Sequence, residues 1–258
     1  MAKGKIIAFI NQKGGVGKTT TCVNLSAFLA EKGKKVLLLD LDPQGNASSG
    51  VGIAKKSNQL TIYNAIDNEI DIREAILKTT QPGLDIIPAT VDLAGAEYDL
   101  AHMINREHVV KRLIDPLRDS YDIITIDCPP SLGQLTVNAL SAADSIIIPI
   151  QCEFYALEGI SQLMNTVKIV KQHLNNTLDI EGIVLTMKDD RSRLVNEVSA
   201  EIKKFFKSKV FNTVIPRNIR LAEAPSHGKP INLYDRSSSG GVAYGELADE
   251  LVERLKKA

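Results

Sequence analysis

The sequence predicts an α/β fold, a mostly parallel sheet flanked by helices, on three observations. Short apolar runs such as 36–39, 123–126 and 146–148 are nearly continuous, the mark of strands covered on both faces. Segments with helical periodicity separate these runs, so strand and helix alternate along the chain. Between the first apolar run and the first helix lies Lys13-Gly14-Gly15-Val16-Gly17-Lys18-Thr19-Thr20. A glycine-rich turn between a strand and a helix start is the setting of a phosphate-binding loop.

In chain order, residues 5–10 read as a buried strand and 19–32 as a helix capped at Gly33. The strand at 36–39 runs into Asp40-Leu41-Asp42-Pro43-Gln44-Gly45-Asn46. Helices are expected near 61–67 and 71–78, a short strand at 84–88 stopped by Pro88, and one long helix over 92–118. Strands follow at 121–127, 145–150 and 182–186, with helices at 133–142 and 156–174 between them. The helix at 192–207 repeats Leu194, Val198, Ile202 and Phe206 at i, i+4; a strand at 210–215 and a helix at 241–257 complete the chain. Nothing resembling a linker or an internal repeat interrupts it, so one domain over 1–258 is expected.

Composition narrows the function classes. Apolar residues make up 44% of the 258 and charged residues 24%, enough for a substantial core and too apolar for disorder. Lysine plus arginine and aspartate plus glutamate both total 31, so an acidic or basic partner requires a local patch. Cys22, Cys128 and Cys152 are widely spaced and form no C-x-x-C pair, which argues against a disulfide framework or a zinc site. The first apolar run is too short for a secretory signal, and no stretch approaches the ~20 apolar residues of a membrane span. A soluble, cytoplasmic protein is expected.

Glycines in the 13–20 loop let backbone N–H groups crowd around phosphate oxygens, since no Cβ blocks the approach. Lys18 adds a full charge and the Thr19 hydroxyl a ligand for Mg²⁺. The ordinary G-x-x-x-x-G-K-[ST] pattern calls for glycine at position 12; this chain has Gln12 there and an extra lysine, Lys13, after it. Ligands of open α/β sheets sit beyond the carboxyl ends of strands. Asp127 closes an apolar strand, the position of a carboxylate serving Mg²⁺, although aspartate is also common in plain turns. Asp40 and Asp42 are either solvated turn residues beside Pro43 and Gly45 or groups reaching the metal shell and the attacking water.

These motifs together are specific. Residues 11–21 resemble the deviant Walker A loop of the ParA/MinD ATPase group, and 39–46, 126–131 and 215–230 are similar to its other signature segments. The likeness runs from residue 5 to about 250 and is greatest to the short chromosomal ParA proteins, often called Soj. It implies a P-loop NTPase fold, ATP and Mg²⁺ as cofactors, and an ATPase that dimerises on ATP and partitions chromosome or plasmid DNA. It implies that Lys13 reaches across the dimer to the partner's phosphates and that Lys18 contacts the β- and γ-phosphates. Thr19, Asp40 and Asp127 then serve the metal, and Asp42 orients the hydrolytic water. Pro216 and Asn218 fall where relatives build part of the adenine pocket. A ParB-type centromere-binding protein is the implied partner that stimulates hydrolysis.

Residues 188–220 hold nine basic residues against four acidic ones, Asp189, Asp190, Glu197 and Glu201. Such a patch suits DNA phosphates, although a solvated helix face is the plainer reading for the lysines at 203–209. The resemblance singles out Arg191 and Arg220 for nonspecific duplex binding, which implies nucleoid association of the ATP-bound form. The alternative is a MinD-like membrane-associated ATPase, which needs a C-terminal amphipathic helix free to dock on lipid. The apolar face at Leu247, Leu251, Val252 and Leu255 is short and flanked by Glu246, Asp249, Glu250 and Glu253, so it reads instead as packed on its own domain.

Overall fold

The computed structural model of the protein describes residues 3–54, 59–153, 156–189 and 191–257. Asp190 of the basic stretch lies outside them. Among the described residues, seven strands form one sheet: β1 (Lys5–Phe9), β2 (Val36–Asp40), β3 (Leu77–Lys78), β4 (Leu84–Ile87), β5 (Ile123–Asp127), β6 (Ser145–Gln151) and β7 (Asp179–Thr186). Their order is β3-β4-β2-β5-β1-β6-β7, and every pairing is parallel except β3 with β4.

The helices are α1 (Lys18–Glu31), α2 (Asn46–Gly50), α3 (Ile62–Ile66), α4 (Ala96–Ala101), α5 (Val109–Ile114) and α6 (Gln134–Ala142). After them come α7 (Ala156–His173), α8 (Arg193–Phe206), α9 (Ile219–Glu223), α10 (Ile231–Tyr234) and α11 (Ser239–Lys257). Alternate residues of each central strand point to opposite faces, so the sheet serves two cores. Ile7, Phe9 and Leu38 face Leu25, Phe28 and Leu29 of α1 and Leu247 and Leu251 of α11. Ile6, Ala8, Leu37 and Ile126 face the other helices, with Leu135 of α6 and Leu163 of α7 among them. Truncating one of these fully buried residues, Phe9→Ala for instance, costs about 3–5 kcal/mol through lost burial and the cavity left behind. The apolar face of α11 is thus taken up by the domain's own core, as its flanking acids suggested.

Helix α1 ends as Gly33 predicts. Gly33 has φ 84, its N–H bonds to the Ala30 carbonyl, and the Lys34 N–H bonds to the Leu29 carbonyl, which satisfies the last turn.

Three sequence expectations fail, each for a local reason. The helix expected over 71–78 is a single 3₁₀ turn, Ile72–Ala75, and Leu77–Lys78 then pairs antiparallel with Ile86 and Asp85 at the sheet edge. The long helix expected over 92–118 is broken by Asn105, which adopts φ 54 between α4 and α5, and is otherwise filled out by 3₁₀ turns. The strand expected over 210–215 touches β7 only at isolated points. The Phe211 and Ile215 N–H groups reach the Ile183 and Leu185 carbonyls, but the Asn212 and Thr213 N–H groups turn the other way to the Glu250 carboxylate of α11. A side chain has taken the donors that a ladder needs.

Candidate functional site

The carboxyl ends of β1, β2 and β5 are neighbours, because β5 lies between the other two with Asp127 paired in register to Phe9 on one side and Asp40 on the other. The loops leaving these three strands therefore converge at one place.

After β1, the Asn11 side chain holds the loop entrance: its Nδ2 donates to the Pro149 carbonyl at 2.7 Å and its Oδ1 accepts from the Lys13 N–H at 2.9 Å. Gln12, where the common motif has glycine, donates from Nε2 to the Gly159 carbonyl and to Gln162 of α7. Gly15 and Gly17 have φ 76 and 83, left-handed values that a Cβ would strain. Gly17 caps α1 with no side-chain acceptor, so nothing of that kind meets the first N–H groups of the helix. That leaves a ready acceptor site for anionic oxygens. Lys18 is buried to 7% exposure at this end of α1. Lys13 behaves differently: its ammonium pairs with the Glu153 carboxylate just past β6.

After β2, the Asp40 and Asp42 side chains diverge. Asp40 is fully buried, its Oδ2 accepting from the N–H and Oγ of Ser48 and its Oδ1 from the Asp42 N–H. Burial pushes its carboxyl up to about 6 against the pull of those donors. Asp40 does not line the cavity that opens beside these strand ends; it ties α2 to β2 and so fixes the turn that carries Asp42. Asp42 does line it, with Oδ1 held by the Gln44 N–H.

After β5, Asp127 is fully buried; neither carboxylate oxygen has a partner of good hydrogen-bond geometry among the described residues, although the Thr19 hydroxyl is near enough to favour the charged form. Burial pushes its carboxyl up to about 8, with Lys18 pulling it down and Asp40 pushing it further up. A buried carboxylate left without well-formed hydrogen bonds is costly unless something cationic completes it. The donor set, one orphaned carboxylate, the Thr19 hydroxyl and the open helix end, suits a hard divalent cation shared with phosphate oxygens. The Cys22 and Cys128 thiols beside Asp127 are pushed far up by burial and stay protonated, in keeping with small buried residues.

A cavity of about 630 Å³ extends from Gly14–Thr20 past Asp42 to Pro216, Arg217 and Asn218. Its size suits a nucleotide rather than a bare phosphate. Pro216 and Asn218 both line it, but Asn218 is already engaged: its Oδ1 accepts from the Leu221 N–H as the cap of α9, and its Nδ2 donates to Ser239. Thr186 and Met187 at the end of β7, and Tyr244 of α11, complete the wall. The sequence reading missed them, although the strand-end rule that marked Asp127 applies equally to Thr186.

Arg191 and Arg220 are not in the cavity. The Arg191 side chain is 90% exposed and bidentate to Asp189. Arg220 is 53% exposed and pairs with Glu223 and Asp235. No described helix is long and apolar enough to cross a membrane.

Comparison with known proteins places this geometry. A family model described as an AAA domain matches residues 4–180. The chain is 58% identical over 249 residues to the sporulation initiation inhibitor protein Soj of Bacillus subtilis, covering 96% of this chain and 98% of that one. It is 52% identical over 251 residues to the chromosome partitioning protein ParA of Myxococcus xanthus, covering 97% and 89%. Its fold is similar to a crystal structure of cobyrinic acid a,c-diamide synthase from Mycobacterium smegmatis with bound ADP and magnesium, at TM-score 0.86 and 34% identity, covering 98% and 96%.

Proposed function

The chain belongs to the Soj/ParA family of chromosome-partitioning ATPases, and from that premise we propose an ATP-driven switch that holds DNA as a nucleotide-bound dimer. The protein is an ATPase that uses ATP and Mg²⁺. The observation that carries the finer reading is Asp127, a fully buried carboxylate with no well-formed hydrogen bond among the described residues, lying behind Lys18 and Thr19, which line a nucleotide-sized cavity.

In this reading the 13–20 backbone and Lys18 bind the β- and γ-phosphates, while Pro216 and Asn218 border the base. Thr19 and Asp127 would hold Mg²⁺, which would supply charge neutralisation at the phosphate oxygens. Asp40 acts one step back, orienting Asp42 through the turn it holds. The Asp42 carboxylate accepts a hydrogen bond from water and aligns it with the γ-phosphorus. A new P–O bond forms from that water as the bond to the bridging oxygen breaks, releasing ADP and inorganic phosphate. Lys13 leaves Glu153 and crosses to the phosphates of the partner subunit's ATP, closing a homodimer. Arg191 and Arg220 exchange their carboxylate partners for DNA phosphates. A ParB-type protein speeds hydrolysis and resets the switch, so the ATP form is nucleoid-bound and the reset form is free in the cytoplasm.

Random duplex DNA retained in a gel shift only with ATP and Mg²⁺ is the expected result. Retention indifferent to nucleotide would sink the switch, and ATP-dependent liposome binding in its place would favour the membrane-associated alternative.

A further inference from the structure

The arginines assigned to DNA stand outside the nucleotide cavity, yet both hang from segments that wall it. Strand β7 ends at Thr186, whose buried Oγ1 donates to the Val16 carbonyl of the phosphate loop at 2.8 Å. A Cβ built on Gly17 would lie 3.7 Å from the Thr186 side chain and 3.8 Å from the Met187 Cε, so this segment rests directly on the loop. Met187 follows with φ 48, a left-handed value that is strained for a residue with a side chain, and it lines the cavity. The Lys188 N–H then bonds to the Ile215 carbonyl at 3.1 Å, and Lys188 bridges Pro216.

Two arms diverge from that joint. One runs through Asp189, whose carboxylate accepts from both the N–H and the guanidinium of Arg191. The other runs through Pro216 to Asn218, which caps the helix that carries Arg220.

We propose that Thr186 is a positioning residue that couples occupancy of the phosphate loop to the placement of Arg191 and Arg220. The inference rests on the reading of this site as a nucleotide-controlled DNA switch. A nucleotide entering the cavity meets the phosphate loop, Met187 and residues 215–218 together. The Thr186 hydroxyl makes the loop and β7 move as one body, so a shift of the loop is delivered to the Lys188–Pro216 joint instead of dissipating in the cavity. Strain held at Met187 gives the joint a second conformation to relax into.

The test compares the full-length protein with Thr186→Val, which keeps the shape and deletes the hydroxyl, and with Thr186→Ser, which restores it. Affinity for a fluorescent ATP analogue and retention of random duplex DNA are measured on all three, with ATP, ADP and no nucleotide. The expected result is that T186V, compared with the parent at nucleotide concentrations that saturate each protein, loses at least tenfold of its ATP-over-ADP preference for DNA. T186S should recover that preference. A merely structural role would lower analogue and DNA binding together, and that outcome overturns the proposal. An undiminished preference in T186V overturns it as well, while leaving the DNA switch standing. A parent protein with no ATP-dependent DNA retention removes the switch and this inference with it. Met187→Gly, which relieves the backbone strain without touching the hydroxyl, is expected to weaken the preference in the same sense; an unchanged preference there would remove the second conformation from the account.

Discussion

The carboxyl ends of β1, β2 and β5 and the stretch from Thr186 to Arg220, the nucleotide and DNA halves of the proposed switch, are built on opposite terms. At the strand ends the working groups are buried: Asp40 and Asp127 are fully enclosed, and Asp42 and Lys18 nearly so. Backbone N–H groups and the Ser48 hydroxyl hold Asp40 and Asp42, and the surrounding low dielectric magnifies any charge that enters. Beyond β7 the working groups are solvated. Arg191 and Arg220 rest on carboxylates of their own chain in water, where solvent and salt screen an ion pair and leave it contributing little. The first region is preorganised and sensitive to single atoms, whereas the second is adjustable and depends on summed charge. The proposed switch, an ATPase that grips DNA of any sequence, needs both kinds of site.

The largest test of that contrast lies at Lys18. Lys18→Ala removes a buried charge facing phosphate, and nucleotide affinity should fall at least a hundredfold by calorimetry, about 3 kcal/mol. A loss below tenfold would mean the enclosed region behaves like the exposed one. Next comes Asp42→Ala: single-turnover hydrolysis should drop about a hundredfold while nucleotide still binds, and turnover at the parental rate would remove Asp42 from the chemistry. On the solvated side, Arg220→Glu should weaken duplex binding about ten- to fiftyfold and flatten its salt dependence by one to two phosphate contacts. An unchanged salt slope in anisotropy titrations would show that Arg220 touches no phosphate.

The smallest effect belongs to Glu250, where the two regions are stitched together by a carboxylate that holds segment 210–215. Burial alone would push its carboxyl up, but the Asn212 and Thr213 N–H donors and Arg254 outweigh burial and hold it below the usual range. A carboxylate whose folded value is depressed contributes stability above its unfolded value of about 4.3, and that stability is lost as pH falls through the lower folded value. Glu250→Gln should therefore cost about 1–2 kcal/mol in denaturant melts at pH 7, with the gap to the parent closing below about pH 4. A gap that persists undiminished in acid would assign the loss to packing instead.

How far the sequence could be read obeys the same division. The strands at 36–39 and 145–150 are continuous apolar runs buried on both faces, and such runs announce themselves. Lys18 and Asp127 stand in a glycine loop and at a strand end, where position alone marks a candidate, whereas the roles expected of Lys13 and Asp42 came only with the family resemblance. The features that stayed hidden depend on distant partners. Nothing near Asn212 foretells that a residue of the last helix will take its N–H, and nothing near Asp40 foretells Ser48 as the donor that turns it from the cavity. Nor does the chain around Lys13 reveal Glu153 as its resting place. The break at Asn105 was readable in principle, because asparagine is the residue after glycine most at ease with φ above zero, but helical periodicity on both sides masked it.

The strand order has a consequence for how the chain is made. Strand β5 inserts between β2 and β1, so during synthesis the phosphate loop and Asp42 emerge long before the strand that carries Asp127 and bridges them. Until that insertion the loop lacks the neighbouring strand and the Asp127 carboxylate is missing from its side. Nucleotide binding is therefore a property of the finished sheet, and a half-made or partly unfolded chain is invisible to ATP. Once the sheet closes, ATP that binds only the finished site stabilises it by RT ln(1 + [ATP]/Kd).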